Sequence, residues 1–189
     1  MQEYKTVEKE ASDFFIEKKS KFIGYAKPVK TQEDTLEFIS KIKSKHWDAT
    51  HNVYAYVLRE NNIQRYSDDG EPQGTAGQPM LEVLRKQGLR HVLAVVTRYF
   101  GGVKLGAGGL VCAYTKSVTD ALKKAEIVKY KPSVTFFVET DYACLKGLKR
   151  EIASLSETEA DVRKTISEAT LGSAKVSVSD ETQICYQIK

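Results

Sequence analysis

The sequence predicts an α+β protein of two domains, residues 1–131 and 132–189, and three observations carry that expectation. Short apolar runs that read as strands, such as His91-Val-Leu-Ala-Val-Val-Thr97, are interleaved with stretches of helical period. That run enters a glycine-rich bend, Arg98-Tyr-Phe-Gly-Gly-Val-Lys-Leu-Gly-Ala-Gly-Gly-Leu110, and then a helical pattern. The charge also changes sign near Lys131-Pro132. Residues 1–131 carry 22 Lys and Arg against 16 Asp and Glu, residues 132–189 carry 7 against 9, and the balances of +6 and −2 give the net +4.

Ser12 to Val29 is predicted as two strands joined by a basic turn at Lys18-Lys-Ser-Lys21, with Phe14 and Ile16 alternating with polar neighbours. Thr31 with Asp34 resembles a capping box, and Leu36, Ile39, Ile42 and His46 fall on one face of a helix ending near Trp47. Asn52 to Arg59 alternates two apolar sets and predicts a strand buried on both faces. In Arg65 to Pro79, the residues Gly70, Pro72, Gly74, Gly77 and Pro79 forbid regular structure through most of the stretch and predict a long loop. Pro79 then opens a short helix, Met80 to Gln87, with Gly88 as its stop. After the 91–97 strand, Leu110, Ala113, Ser117, Ala121 and Leu122 give a helix from Gly109 to Ala125 one buried face.

Beyond it, a strand begins at Ile127–Tyr130, and another covers Val134 to Glu139. Asp141 caps a helix to about Ser154; Val162, Ile166 and Ala169 then fit a further helix, which is favoured, while Ala160, Val162 and Ile166 also fit a strand. Ala174–Ser179 and Gln183–Ile188 alternate as a hairpin around Asp180-Glu181.

Composition narrows the function classes. With 41% hydrophobic and 29% charged residues among 189, the chain is of ordinary globular type. No apolar run approaches the roughly 20 residues that span a bilayer, and Met1-Gln-Glu-Tyr-Lys-Thr lacks a signal core, so no membrane partner and a cytoplasmic location are expected. Cys112, Cys144 and Cys185 are odd in number and form no CxxC pair, which points to reduced thiols and against a zinc site. Cys112 follows the glycines in a helix, a place that can activate a thiol, but its apolar neighbours favour a buried and inert one.

The glycine bend is the first candidate site. Gly101, Gly102, Gly106, Gly108 and Gly109 let backbone amides turn toward a ligand, a following helix start favours an anion, and Arg98 and Lys104 flank the bend, with Tyr99 beside them. A phosphate or nucleic-acid backbone suits that chemistry, as does a plain tight turn. The spacing fails both the P-loop pattern and the dinucleotide fingerprint. The long loop supplies Asp68, Asp69, Glu71, Gln73 and Thr75, with His51 nearby in sequence. Three acidic groups so close could bind a divalent cation or act as acid and base, but neither a calcium loop nor a zinc-protease pair is present. A solvated acidic loop, or one paired with Arg65 or Arg98, is the commoner arrangement. His46 at a helix end can satisfy last-turn carbonyls. Tyr54, Tyr56, Tyr66, Tyr99 and Tyr114 can stack bases or pack in the core. No catalytic set, cofactor or metal is implied.

The stretch Tyr66-Ser-Asp-Asp-Gly-Glu-Pro-Gln-Gly-Thr-Ala-Gly-Gln-Pro79, together with the bend from Arg98 to Leu110, closely resembles the IMPACT family in its bacterial YigZ/YvyE branch. Ser20-Lys-Phe22, His51-Asn52 and Ala113-Tyr114 strengthen the resemblance, which covers roughly residues 10–128. It implies two α/β sandwich domains. The first would be like the second domain of ribosomal protein S five. The second would be ferredoxin-like and shortened, since 57 residues remain after Pro132. The eukaryotic relatives regulate translation, and the bacterial resemblance implies RNA or ribosome association.

The leading expectation is therefore a non-catalytic nucleic-acid- or ribosome-binding protein in translational regulation. One alternative is a phosphate- or nucleotide-binding enzyme with a cleft between the Asp68–Pro79 loop and the Gly101–Gly109 bend. The other is an adaptor for a protein partner in translation.

Overall fold

The computed structural model describes residues 3–59, 62–133, 136–152, 158–178 and 182–187. Helices combine with antiparallel sheets in an α+β arrangement, as the sequence predicts. The chain divides into two compact units, one built on Glu3–Tyr130 and the other on Lys131–Ile184.

In the first unit, strand β1 (Tyr4–Val7) is followed by the hairpin β2 (Ala11–Glu17) and β3 (Ser20–Pro28). Helix α1 (Gln32–Lys45), strands β4 (His51–Val57) and β5 (Gln64–Ser67), helix α2 (Gly77–Lys86) and strand β6 (Val92–Tyr99) come next. Helix α3 (Ala107–Ala125) and the start of strand β7 (Ile127–Ser133), whose residues from Lys131 count with the other unit, complete it. Five strands form one sheet in the order β2-β3-β6-β4-β5, so β6, made after the others, lies at the centre.

The apolar run of β6 explains its position. Val92, Ala94 and Val96 join one core with Phe22, Ala55, Leu84, Tyr114 and Val118, under α2 and α3. Leu93 and Val95 alternate to the opposite face and meet Tyr25, Tyr56, Phe38, Ile39 and Ile42. A strand buried on both faces must be apolar at nearly every position, and this one is. The α1 stripe is Thr35, Phe38, Ile39 and Ile42, rather than one led by Leu36, which is exposed. Each large side chain so buried contributes roughly 1.5–3 kcal/mol.

Local signals are kept in part. Thr31 caps α1 by accepting from the Asp34 amide at 3.1 Å. Lys18 and Lys19 both have positive φ, making the tight basic tip of the β2–β3 hairpin. The expected 65–79 loop is shorter than its composition suggests. Arg65, Tyr66 and Ser67 pair with β4 as an edge strand, and α2 begins at Gly77, carrying Pro79 inside its first turn where no amide is needed. The strand β1 has no clear sequence signal. It pairs antiparallel with β7 from Tyr4↔Tyr130 to Val7↔Ile127, which buries Val7.

In the second unit, strand β8 (Phe136–Glu139) precedes helices α4 (Tyr142–Ile152) and α5 (Glu159–Ala169), and β9 (Lys175–Val178) follows them. Thr158 and Asp161 close a reciprocal capping box at the start of α5. The strands expected as one hairpin are corrected. β9 pairs with β8, while β10 (Thr182–Gln187) takes its place in the order β1-β7-β10, and its residues from Cys185 cluster with the first unit. Alternation identifies a strand but not its partner. The expectations at Val134, Ser154, Asp180, Glu181 and Ile188 lie outside the described residues.

Candidate functional site

Residues 68–76 connect β5 to α2 and are organised by their own acids. Asp68 turns back toward the helix. Its Oδ1 accepts from the amides of Ala76 at 3.2 Å and Gly77 at 2.7 Å, and its Oδ2 from Gly74 at 2.9 Å. A carboxylate thus occupies the amides at the α2 N-terminus, whose cap residue Ala76 offers no side-chain bond. Asp69 accepts from the Asn52 amide at 2.6 Å and pairs with Lys43 at 2.8 Å. Thr75 donates to the Pro72 carbonyl at 2.6 Å, and Gln73 is exposed. Asp68→Ala leaves three amides without their acceptor and is expected to cost roughly 2 kcal/mol. Urea unfolding checks this, and a loss below about 0.5 kcal/mol contradicts the capping role.

Glu71 goes inward. Only 7% exposed, its Oε1 accepts from Arg98 Nη1 at 2.6 Å and from the Tyr114 hydroxyl at 2.7 Å. Burial, then the bond to Glu71, raises the Tyr114 pKa far above its ordinary value, so the phenol remains a donor. Arg98 is 5% exposed, lies over the rings of Phe22 and Phe100, and brings Nη2 to 3.5 Å from Ser20 Oγ. His51 donates from Nδ1 to the Asp69 carbonyl at 2.8 Å. Its Nε2 lies 3.8 Å from Glu71 Oε2, beyond hydrogen-bond distance. The three acids of the loop therefore turn to separate partners. No group of three or more metal-ligating side chains assembles among the described residues.

The bend lies against the hairpin tip. Ser20 Oγ accepts from the Gly101 amide at 3.2 Å, and a Cβ on Gly101 would fall 2.0 Å from the Lys19 carbonyl carbon, so only glycine fits there. Gly106, at φ 77°, is the N-cap of α3 and supplies no side-chain acceptor to the first-turn amides, and the first turn holds no acid. Gly102, Lys104 and Gly108 are exposed and Gly109 is half-buried. Lys104 has no ionic or hydrogen-bonded partner among the described residues.

Tyr99 belongs to a second polar chain. Its hydroxyl donates to Asp48 at 3.1 Å, so its oxygen accepts from His46 Nδ1 at 2.9 Å, and His46 Nε2 accepts from the Tyr25 hydroxyl at 2.7 Å. That tautomer needs a neutral imidazole. Burial lowers the His46 pKa, with Lys45 and Lys21 adding to the effect against Asp48. The expectation that the His46 ring satisfies helix carbonyls is corrected; its backbone amide bonds the Ile42 carbonyl instead. Cys112 is also corrected. It is exposed on α3, where it lines a cavity of about 270 Å³ with Phe15, Lys18 and Lys116. An apolar neighbourhood in sequence did not place it on the buried stripe.

The structure thus brings Arg98, Glu71 and His51 together and leaves Lys104 with Gly102, Gly106 and Gly108 at the surface. Sequence reading overlooked Tyr114 and Ser20 as parts of this arrangement. The α3 period places Tyr114 one residue after buried Ala113, a signal for burial. Ser20 carries no local signal beyond its place in the resemblance.

A family profile described as the Impact N-terminal domain matches residues 18–122. The chain is 49% identical over 150 residues to IMPACT family member YvyE of Bacillus subtilis, covering 79% of this chain and 69% of that protein. It is 37% identical over 135 residues to IMPACT family member YigZ of Escherichia coli, covering 70% of this chain and 66% of that one. The chain therefore belongs to the IMPACT family, beside its bacterial members. A crystal structure of a hypothetical protein superposes with a TM-score of 0.66 at 27% identity, over 95% of this chain and 98% of the other. No helix among the described residues is long and apolar enough to cross a membrane.

Proposed function

We propose that this protein is a non-catalytic binding protein for RNA or the ribosome, acting in translational regulation, and that it holds phosphate at the Gly101–Gly109 bend. The carrying observation is Lys104: an exposed ammonium without a carboxylate partner among the described residues, two positions before Gly106 and the uncapped first turn of α3. An ammonium beside unfilled helix amides favours a phosphate oxygen. Arg98, held by Glu71, supports the bend through Ser20 Oγ, which also accepts from the Gly101 amide, while the amides and Lys104 meet the ligand. Membership of the IMPACT family, and the translational role its resemblance implies, supply the biological setting.

Contacts of this kind position a nucleic acid without reading its sequence. Co-sedimentation with ribosomes and RNA is expected to fall as salt rises, and Lys104→Ala to reduce the salt slope by about one. Wild-type protein that stays in the supernatant at low salt refutes the proposal. The enzymatic alternative lacks comparable support, because Asp68, Asp69 and Glu71 are each committed to different partners.

A further inference from the structure

The sheet face shared with α1 is only partly covered. Register places Ile16, Lys21 and Tyr99 in one row across β2, β3 and β6, and Phe14, Ile23 and Thr97 in the next. Tyr25 and Tyr99 meet His46 at the C-terminal end of α1, which fixes these rows on that side. Yet the β2 end is open: Phe14 is 62% and Ile16 65% exposed. Trp47, the chain's single tryptophan, follows His46 and is 84% exposed.

Charge is sorted on the two faces of β2. Its acids, Asp13 and Glu17, alternate to the α3 side, where Asp13 pairs with Lys124 and Glu17 lines the cavity with Lys116. On the α1 side, the Lys21 ammonium lies 5.2 Å over the Phe14 ring and that of Lys45 lies 5.5 Å over the Tyr25 ring. Neither lysine has a carboxylate partner among the described residues. Asp48, beside this corner, accepts from the Tyr99 hydroxyl. Burial lowers the His46 pKa first, and the charges of Lys45 and Lys21 add to it against Asp48.

We propose that this open corner is a stacking platform for the bases of a single-stranded nucleic acid, with Phe14, Ile16 and Trp47 as apolar contacts and Lys21 and Lys45 on the adjoining phosphates. The inference rests on the nucleic-acid reading above and adds where the bases lie. Aromatic rings interleaved with unpaired ammonium groups match a polyanion whose bases have open π-faces. An apolar protein surface seated on the same corner would desolvate those two charges without compensation.

Trp47 makes the test direct. An oligouridylate of about twelve nucleotides, within the usual site size, is titrated at low salt while Trp47 fluorescence is followed, beside an RNA duplex of equal length. The single strand is expected to quench Trp47 and to bind more tightly than the duplex. Phe14→Ala and Lys21→Ala are each expected to weaken binding by about fivefold or more. Both positions are at the surface, and circular dichroism verifies their folding; Lys21→Ala carries the test if Phe14→Ala unfolds. If both variants bind as wild type while Lys104→Ala is weakened, the platform is overturned and the phosphate reading stands. If wild type binds neither RNA, both fall. Quenching that follows protein concentration without RNA assigns the corner to a second copy of the chain and overturns the platform.

Discussion

Arg98→Ala is expected to lower the unfolding free energy by roughly 3–5 kcal/mol. The guanidinium and Glu71 are both nearly excluded from solvent, at 5% and 7% exposure, and meet at 2.6 Å. Removing one partner leaves Glu71 buried with the Tyr114 hydroxyl as its remaining hydrogen-bond donor, and His51 stays too far away to replace the lost bond. The substitution also empties the space between Phe22 and Phe100. Urea denaturation of wild type, Arg98→Ala, Glu71→Ala and the double variant measures this. The two single losses should be strongly non-additive, because the second removal relieves the charge left by the first. A single loss below about 1 kcal/mol would contradict the arrangement. For the same reason Arg98→Ala is a poor probe of binding: a loss of RNA affinity would be inseparable from loss of fold. Lys104, at the surface and unpaired among the described residues, separates the two effects.

Gly101→Ala is expected to cost about 3 kcal/mol, at the upper end of overpacking. The new Cβ would lie 2.0 Å from the Lys19 carbonyl carbon and oxygen and 2.6 Å from its Cβ. Two of those obstacles are backbone, so no rotamer change relieves them. The hairpin tip must lift, and with it go the bonds that Ser20 Oγ accepts from the Gly101 amide and Arg98. Gly108→Ala is the internal control. Nothing lies within 4 Å of its added Cβ, and it stands inside α3, so it should be neutral or stabilising by up to about 1 kcal/mol. Thermal melts of the pair distinguish a glycine required by contact from one that is merely present. Equal melting temperatures would refute the tight packing of the bend on the hairpin.

The different behaviour of those two glycines explains what the sequence made legible. Composition marked the bend as unusual, and the apolar run of β6 announced a strand buried on both faces. These are local properties, and local patterns report them. Whether a glycine faces solvent or another backbone depends on Lys19, 82 positions earlier in the chain. The carboxylates show the same limit. Asp68, Asp69 and Glu71 look alike in a polar run, but one caps α2, one pairs with Lys43 and one is buried beneath the bend. Pairing with Arg98 was among the sequence expectations; the division of labour was not. Partners that arrive through tertiary structure also decided β1, β9 and β10, whose alternation or brevity carried no address.

The strand order β2-β3-β6-β4-β5 has a bearing on how the chain is made. The hairpins β2–β3 and β4–β5 are each complete once residue 67 has been synthesised, yet neither pairs with the other. Both wait for β6, which ends at Tyr99, to be laid between them and to supply two pairing edges at once. During elongation at about 5–20 residues per second, the stretch from Ser67 to Tyr99 takes seconds to make, and the strand that joins the two hairpins arrives only at its end. The centre of the finished sheet is the last of its five strands to be translated, so the two hairpins cannot be joined through the sheet until Tyr99 has been made.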